Sequence, residues 1–148
     1  MSTENQVHLI GDFRREEAPA ASTITPGMLV EYDSTGDFRA HSTEGGEALR
    51  IFAEVDALQG KTLSDDYSAD DLVSANVEVP GNEVQAMLKL GENVSIGDEL
   101  ISAGDGTLIQ NGSEGSGVTV DRVLAIAREA LDLSGSGAVD TLMRVMLL

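Results

Sequence analysis

The feature that most constrains this chain is the length of its apolar runs, which are short and separated by glycine-containing breaks. The stretch ENVSIGDELISAGDGTLIQ, residues 92 to 110, shows the pattern most clearly. Runs of this length suit β-strands and are too short for helices. The same pattern recurs from residue 24 onward, so the sequence predicts an all-β (mainly β) protein, a small β-barrel or β-sandwich-like domain with an extended N-terminal arm.

The Gly-Asp pairs in this stretch could mark either a binding loop or turns between strands. Gly104-Asp105-Gly106 lies between ELISA and TLIQ and fits a tight hairpin, because Gly and Asp tolerate positive φ. A phosphate-binding loop needs a longer Gly-rich run that ends in Gly-Lys-Ser or Gly-Lys-Thr. Gly60-Lys61-Thr62 has that ending, but Val55 occupies the position where the motif requires its first Gly. We therefore interpret the Gly-Asp pairs as turns.

Further strands are predicted from the same signals. They cover residues 28 to 32 and 37 to 41 around a turn, 49 to 55, 72 to 79 and 82 to 90 on either side of Pro80-Gly81, and 139 to 148. Pro80-Gly81 predicts a hairpin or a sharp corner. Residues 118 to 133 remain ambiguous: their composition slightly favours a helix, while their alternation also permits a strand.

Charge excludes several classes of partner. The 148 residues include 26 acidic and 9 basic side chains, which gives a net charge of −17. Binding to nucleic acid or to an anionic membrane depends on Lys and Arg, so neither partner is expected. Only two of the nine basic residues are Lys, and this skew with a dispersed acid excess is typical of halophilic proteins. No apolar run is long enough to span a membrane, and no secretory signal is apparent.

Residues 1 to 22 are polar apart from Val7, His8, Leu9 and Ile10. This composition predicts a flexible N-terminal arm, followed by a single β-rich domain over residues 23 to 148. The four residues from Val7 to Ile10 could add as a strand to the sheet edge of a neighbouring molecule, or the segment could be a plain disordered tail.

Catalytic and metal-binding patterns are sparse. The chain has no Cys, and its two His, His8 and His41, have no regular spacing, so neither a Ser-His-Asp arrangement nor a transition-metal site is expected. The loop SDDYSADD contains weak candidates for a divalent cation, but it lacks the order of ligands in a calcium loop. Those candidates are Asp65, Asp66, Asp70 and Asp71. We predict no enzyme activity and no cofactor.

The order of several short motifs resembles the capsid decoration (head cement) proteins of tailed phages and archaeal tailed viruses. The matching segments, between residues 24 and 148, are ITPGMLVEYDSTGDFRAHSTEGG, IFAEVDALQGKTLSDDYSADDLV, GENVSIGDELISAGDGTLIQ and LAIAREALDLSGSGAVDTLMRVMLL. The resemblance implies a virion protein on the outer surface of an icosahedral capsid, made in the host cytoplasm. It also implies that residues 123 to 133 form a β-strand, and we follow it there over the slight helix preference.

Under that resemblance the partners are the major capsid protein and further copies of the chain in a homotrimer. The expected capsid contacts are Val7, His8, Leu9 and Ile10 of the arm and Leu58, Gln59, Gly60 and Lys61 of the LQGK loop. Three alternatives remain. One is a lipoyl-type barrel-sandwich module, which would need a Lys at a hairpin tip. A second is an enzyme that acts through carboxylates of the SDDYSADD loop. The third is a minor virion part such as a neck protein, a tail protein or a head fibre base.

Overall fold

Short strands joined by tight turns build the protein, which confirms the predicted all-β fold. The computed structural model describes residues 4–118 and 121–148. Residues 1–3 of the predicted arm, and Thr119 and Val120 of the ambiguous segment, lie outside the described residues. A 3-10 turn, Ala57–Gln59, is the one helical segment in the described ranges. The strands are β1 His8–Ile10, β2 Phe13–Pro19, β3 Val30–Tyr32, β4 Phe38–Ala40, β5 Ile51–Ala53, β6 Leu72–Glu78, β7 Glu83–Leu88, β8 Asn93–Val94, β9 Glu99–Ser102, β10 Leu108–Gln110, β11 Ala125–Ala127, β12 Leu131–Asp132 and β13 Thr141–Leu147.

Five strands close into a barrel in the order β7, β10, β9, β11 and β13, with β13 returning to pair with β7. The closing pair is antiparallel and runs from Thr141 opposite Leu88 to Met146 opposite Glu83. The pairing of β10 with β7 is parallel, at Leu108 and Leu88. Closure pairs each of these strands on both sides, and β1 adds alongside β7 at Glu83 and Val84, which β10 does not reach.

A second sheet, in the order β2, β6 and β5, lies beside the barrel, together with the β3–β4 hairpin and the β8–β12 pair. The predicted hairpin over residues 28 to 41 is confirmed, with Tyr32 opposite Phe38 at its turn. The two strands that flank Pro80-Gly81 belong to different sheets, β6 to the small sheet and β7 to the barrel. Pro80-Gly81 is therefore a corner between sheets and not a hairpin.

The buried side chains form two clusters, one inside the barrel and one behind the small sheet. Strand β5 separates them: Phe52 belongs to the barrel cluster, while Ile51 and Ala53 belong to the other. All three are buried because successive side chains of a strand point to opposite faces, and here both faces are covered. The sequence predicts Ile51 and Phe52 as core residues, and the structure confirms both.

The Gly104-Asp105-Gly106 hairpin is also confirmed, because β9 and β10 pair across it with Leu108 opposite Ser102. Both glycines have positive φ, 80° at Gly104 and 86° at Gly106. The Asp105 carboxylate accepts hydrogen bonds from Thr107 and pairs with the Lys89 ammonium at 2.9 Å. The aspartate therefore stabilises the turn, as a punctuating residue is expected to do.

Residues 123 to 133 contain two short strands, β11 and β12, and no helix. The helix preference of this composition is overridden because β11 lies between β9 and β13, with Ala125 opposite both Leu100 and Leu147. Both edges of β11 are thus paired, and Ala125 and Ala127 are fully buried in the barrel. Tertiary pairing of this kind outweighs differences in helix propensity of a few tenths of a kcal/mol, roughly, for each residue.

The structure differs from the expectation of a flexible arm over residues 1 to 22. Strand β1 pairs with β7 of the same chain, and β2 pairs with β6 along its full length, from Phe13 opposite Glu78 to Pro19 opposite Leu72. The strand predicted to add to a neighbour's sheet therefore adds to its own barrel. The physical reason is burial: Val7 is fully buried in the barrel core, and Ala18 and Ala20 are buried in the second cluster.

Candidate functional site

The two segments predicted as contacts lie on the walls of one groove, with a volume of about 890 Å³. The N-terminal segment forms one wall with Asn5, Gln6 and His8, and the LQGK loop forms another with Leu58, Gln59 and Lys61. The acidic loop contributes Asp65, Asp66 and Asp71. The fold thus brings together segments that are some 50 residues apart in sequence, and we treat this groove as the candidate site.

The floor of the groove is one face of the small sheet. Phe13, Arg15 and Glu17 of β2 and Leu72 and Ser74 of β6 line it. These residues share a face because side chains two apart in a strand point the same way. The intervening residues, such as Ala18 and Val73, are buried in the second hydrophobic cluster. One face of the sheet therefore packs in the interior, while the other is exposed in part, at Phe13, Arg15, Glu17 and Leu72.

Glu54 holds β1 in place beside the groove. This carboxylate is 6% exposed, and it accepts hydrogen bonds from the backbone N–H groups of Val7 at 2.6 Å and His8 at 2.9 Å. It also accepts from the Val55 N–H and from the Asn76 side-chain amide, both at 2.9 Å. A buried carboxylate is tolerated when its lone pairs are used in this way. Glu54 is thus a polar link between the start of β1 and the rest of the fold.

Tyr67 contacts the backbone of Glu54 and so stabilises the same side of the groove. It is 5% exposed, and its hydroxyl donates a hydrogen bond of 2.5 Å to the backbone carbonyl of Glu54. Burial raises the pKa of Tyr67 to about 12, so the hydroxyl keeps its proton and remains a donor. Tyr67 therefore acts as a structural support and not as an acid or base.

A second buried carboxylate lies under His8. The Nδ1 atom of His8 is 2.9 Å from Glu78, whose side chain also accepts a hydrogen bond from the Asn82 amide at 2.6 Å. Burial raises the pKa of Glu78 above its ordinary value of 4.5, and the hydrogen bonds from Asn82 and His8 oppose this only in part. The His8 ring also packs on Phe13, with centroids 4.3 Å apart. His8 is thus fixed from two sides at the edge of the groove.

The LQGK loop presents its apolar residue to solvent. Leu58 lies in the 3-10 turn and is 94% exposed. The turn ends at Gly60, whose φ of 71° is in the left-handed region that favours glycine. Backbone hydrogen bonds from Gln59 and Lys61 to the Asp56 carbonyl close the loop, so Leu58 is displayed on an ordered turn.

The four acidic candidates of the 65 to 71 loop have mainly structural contacts. Asp65 accepts hydrogen bonds from the Thr62 N–H and hydroxyl, which hold the pKa of its carboxyl below the ordinary value. Asp71 accepts from the Ser68 N–H. Asp70 has a positive φ of 72°, and Asp66 points into the groove. Within residues 4–118 and 121–148, no three His, Asp or Glu side chains converge as metal ligands would.

The predicted contact residues are not equally placed for contact. Val7 is fully buried and cannot touch a partner, and Leu9 is half-buried beside the barrel. Ile10 is 53% exposed but lies outside the groove. His8, Leu58, Gln59 and Lys61 line the groove, with Gly60 in the turn beside them.

Sequence reasoning missed the floor of the groove and the carboxylate that orders it. Phe13, Arg15 and Glu17 lie in the segment interpreted as an arm, and the four consecutive charged residues after Phe13 give no strand alternation there. Glu54 stands inside the apolar run IFAEV, and a charged residue in such a run indicates a buried partner. That signal does not identify a groove without the tertiary structure.

The fold has a counterpart among solved structures. Over 93% of this chain and 95% of the other, the structure is similar to the head fibre gp8.5 N base of bacteriophage phi29. The TM-score is 0.58 and the sequence identity is 18%, so the two share a fold. No family model matches the sequence, and no curated protein matches it. Among the described residues, no helix has the length and apolar character that crossing a membrane requires.

Proposed function

We propose that this protein is a structural component of a tailed-virus virion that binds the outer surface of the icosahedral capsid and stabilises the expanded, DNA-filled head. The observation that carries the proposal is the shared fold, over nearly the full length of both chains, with the base of a phage head fibre. The motif order of the sequence supports the same class independently. In this proposal the partner is the major capsid protein, and the protein acts as a homotrimer at local threefold positions.

The proposed mechanism is multivalent binding. Each trimer would touch several capsid subunits, and once one contact forms, the others form at a high effective concentration. Binding to the expanded head and not to its precursor would stabilise only the expanded state. The groove and the exposed Leu58 are the proposed contacts, since they display apolar and charged side chains on an ordered frame.

The surface chemistry suits a particle in brine. A net charge of −17 gives the molecule strong self-repulsion in dilute buffer, which weakens the folded state there. In molar salt the Debye length falls to about 3 Å, so the repulsion within one molecule is screened. We therefore propose that the protein works in high salt.

A second candidate is the base of a head fibre, favoured by the structural similarity itself. It belongs to the same class, since a fibre base and a decoration protein both attach to the head. The two differ in copy number, because a decoration protein approaches the number of capsid subunits and a fibre base does not.

The lipoyl-type alternative is disfavoured by the positions of the two lysines. Lys89 follows β7 and pairs with Asp105, and the strands before and after it, β7 and β8, do not pair with each other. Lys61 lies in an exposed loop after the 3-10 turn. Neither Lys occupies the hairpin tip that such a carrier needs.

The test is co-sedimentation of the purified protein with mature, undecorated heads in high salt, measured as copies bound per capsid subunit. Saturation near equimolar with the capsid subunit is expected for the decoration protein. Saturation at a small fraction of that number would favour the fibre base. Absence of binding by a folded protein at several salt concentrations would refute both.

A further inference from the structure

Three large hydrophobic side chains around the groove are exposed to solvent. Phe13 is 41% exposed on the floor, Leu72 is 57% exposed beside it, and Leu58 is 94% exposed on the wall. Single exposed hydrophobic residues are common on protein surfaces, but three around one concave site mark a place where another molecule can bury them.

The same groove has an excess of carboxylates. Among the described residues that line it, six are acidic and only Arg15 and Lys61 are strongly basic. Glu17, Asp56 and Asp66 have no hydrogen bond or ion pair from another side chain within the described ranges. Three unpaired carboxylates close to exposed Phe13, Leu58 and Leu72 are complementary to a partner that offers both cations and apolar groups.

The groove and not the neighbouring strand edge is the better docking surface. Strand β2 is at the edge of its sheet, but its sequence FRREEAP places four charged residues and a Pro along that edge. Charges and Pro on an edge strand are devices that discourage the addition of another strand. A partner is thereby directed to the open face of the sheet.

We propose that this groove binds a segment of a capsid subunit in which Arg or Lys side chains alternate with apolar ones. This inference rests on the proposed function and specifies the chemistry of its partner. The apolar residues of the segment would contact Phe13, Leu58 and Leu72, and its cations would pair with the carboxylates of Glu17, Asp56 and Asp66. In molar salt, screening weakens distant attraction while direct contacts and apolar burial persist, so the groove suits binding in brine.

The direct test uses a fluorescein-labelled peptide of alternating Leu and Arg, about eight residues long, which spans roughly 26 Å when extended. Its binding to the full chain is measured by fluorescence anisotropy at low and at molar salt. The same peptide with Glu in place of Arg is the control for charge. We expect the Arg peptide to bind, more weakly but still measurably at molar salt, and the Glu peptide not to bind.

Matched variants separate the groove from general attraction to an acidic protein. Glu17→Gln with Asp66→Asn removes two groove charges, and Glu47→Gln with Asp121→Asn removes two exposed charges elsewhere. Leu58→Ser removes the exposed groove leucine, and Leu49→Ser removes a leucine that is 69% exposed outside it. The groove variants should weaken peptide binding by about tenfold and the outside variants by less than about twofold.

Equal weakening by both sets, or no binding of the Arg peptide at low salt, would overturn the proposal. The same variants in the head co-sedimentation assay distinguish the two levels of inference. If the wild-type protein binds heads and the groove variants bind equally well, the assignment of the groove as the capsid-binding site is wrong, while the proposed function stands. If the wild-type protein does not bind heads, the proposed function fails whatever the peptide does.

Discussion

Removal of the Glu54 carboxylate should release the N-terminal segment from the barrel. In the structure this side chain accepts four hydrogen bonds, from the backbone of Val7, His8 and Val55 and from the Asn76 amide. The variant Glu54→Ala leaves all four donors without their acceptor. No other described carboxylate approaches Val7 and His8 in this way.

The magnitude follows from the number of donors that lose their partner. A hydrogen bond to a charged group contributes about 1.5–3 kcal/mol, and a buried donor left unpaired costs about 1–3 kcal/mol. Water that enters the space vacated by the side chain restores part of this. We expect a loss of about 3–5 kcal/mol in the free energy of unfolding, as for other broken buried charge networks.

Glu54→Gln is the matched control. Its remaining oxygen can still serve Val7 and Val55, while its amide nitrogen would face the His8 N–H and Asn76. Asn76 can adapt, because its Oδ1 atom is buried without a partner and could accept from the new amide after a flip. One unfavourable contact, with the His8 N–H, then remains, and the expected cost is about 1–2 kcal/mol.

The assay combines denaturant unfolding with amide hydrogen exchange. If β1 detaches locally, the global loss is limited to the free energy of its docking, and exchange shows the opening directly. The Gln85 N–H, which donates to the Val7 carbonyl, reports on β1. A loss below about 1 kcal/mol together with unchanged protection of Gln85 would refute the role assigned to Glu54.

Three further predictions concern other buried acids and turns. Glu83→Gln should cost about 1 kcal/mol at neutral pH, because Glu83 pairs with two half-exposed arginines, one of them Arg144. Burial would raise the pKa of Glu83, but the arginines outweigh it and lower the pKa below 4.5, so this contribution is present above pH 4.5 and is lost as the pH falls through the lowered pKa. Glu78 has the opposite sign: burial raises its pKa, so relative to Glu78→Gln the wild type should lose stability as the pH rises from 4.5 through the raised pKa. Denaturant unfolding as a function of pH checks both, and a flat difference would contradict either one. Gly104→Ala and Gly36→Ala both place Ala at positive φ, but at Gly104 the new Cβ would lie 2.9 Å from the Glu44 backbone N, whereas at Gly36 it meets nothing within 4 Å. Thermal unfolding should show Gly104→Ala to be the more destabilising by at least about 1 kcal/mol, and equal effects would contradict the close approach.

Local signals in the sequence were sufficient for most strands and turns. The 28 to 41 hairpin, the Gly104-Asp105-Gly106 hairpin and the last strand follow from short apolar runs and from residues that tolerate positive φ. These features depend on neighbours in sequence, so the residues themselves specify them. Local signals are not sufficient to predict strands β11 and β12, because their composition favours a helix. Only pairing with distant strands makes these residues extended.

The candidate groove likewise combines features that the sequence predicts with features that depend on the tertiary structure. The sequence identified the LQGK loop and the segment from Val7 to Ile10 as noteworthy, and it showed an acidic chain with no Cys and only two His. It did not show that the N-terminal segment is part of the fold, because that depends on Val7 entering the barrel core and on Glu54 accepting its N–H. Burial and long-range hydrogen bonds between residues some 47 positions apart leave no periodic trace in sequence.

The sequence by itself thus determined most strands and turns from residue 28 onward and the charge, since each depends on local conformational preference or on composition. Only the tertiary structure decided which strands close the barrel, that Pro80-Gly81 is a corner between sheets, and that Phe13, Leu58 and Leu72 surround one groove. These outcomes depend on which surfaces, distant in sequence, bury each other with the lowest free energy, and that depends on residues from the whole chain.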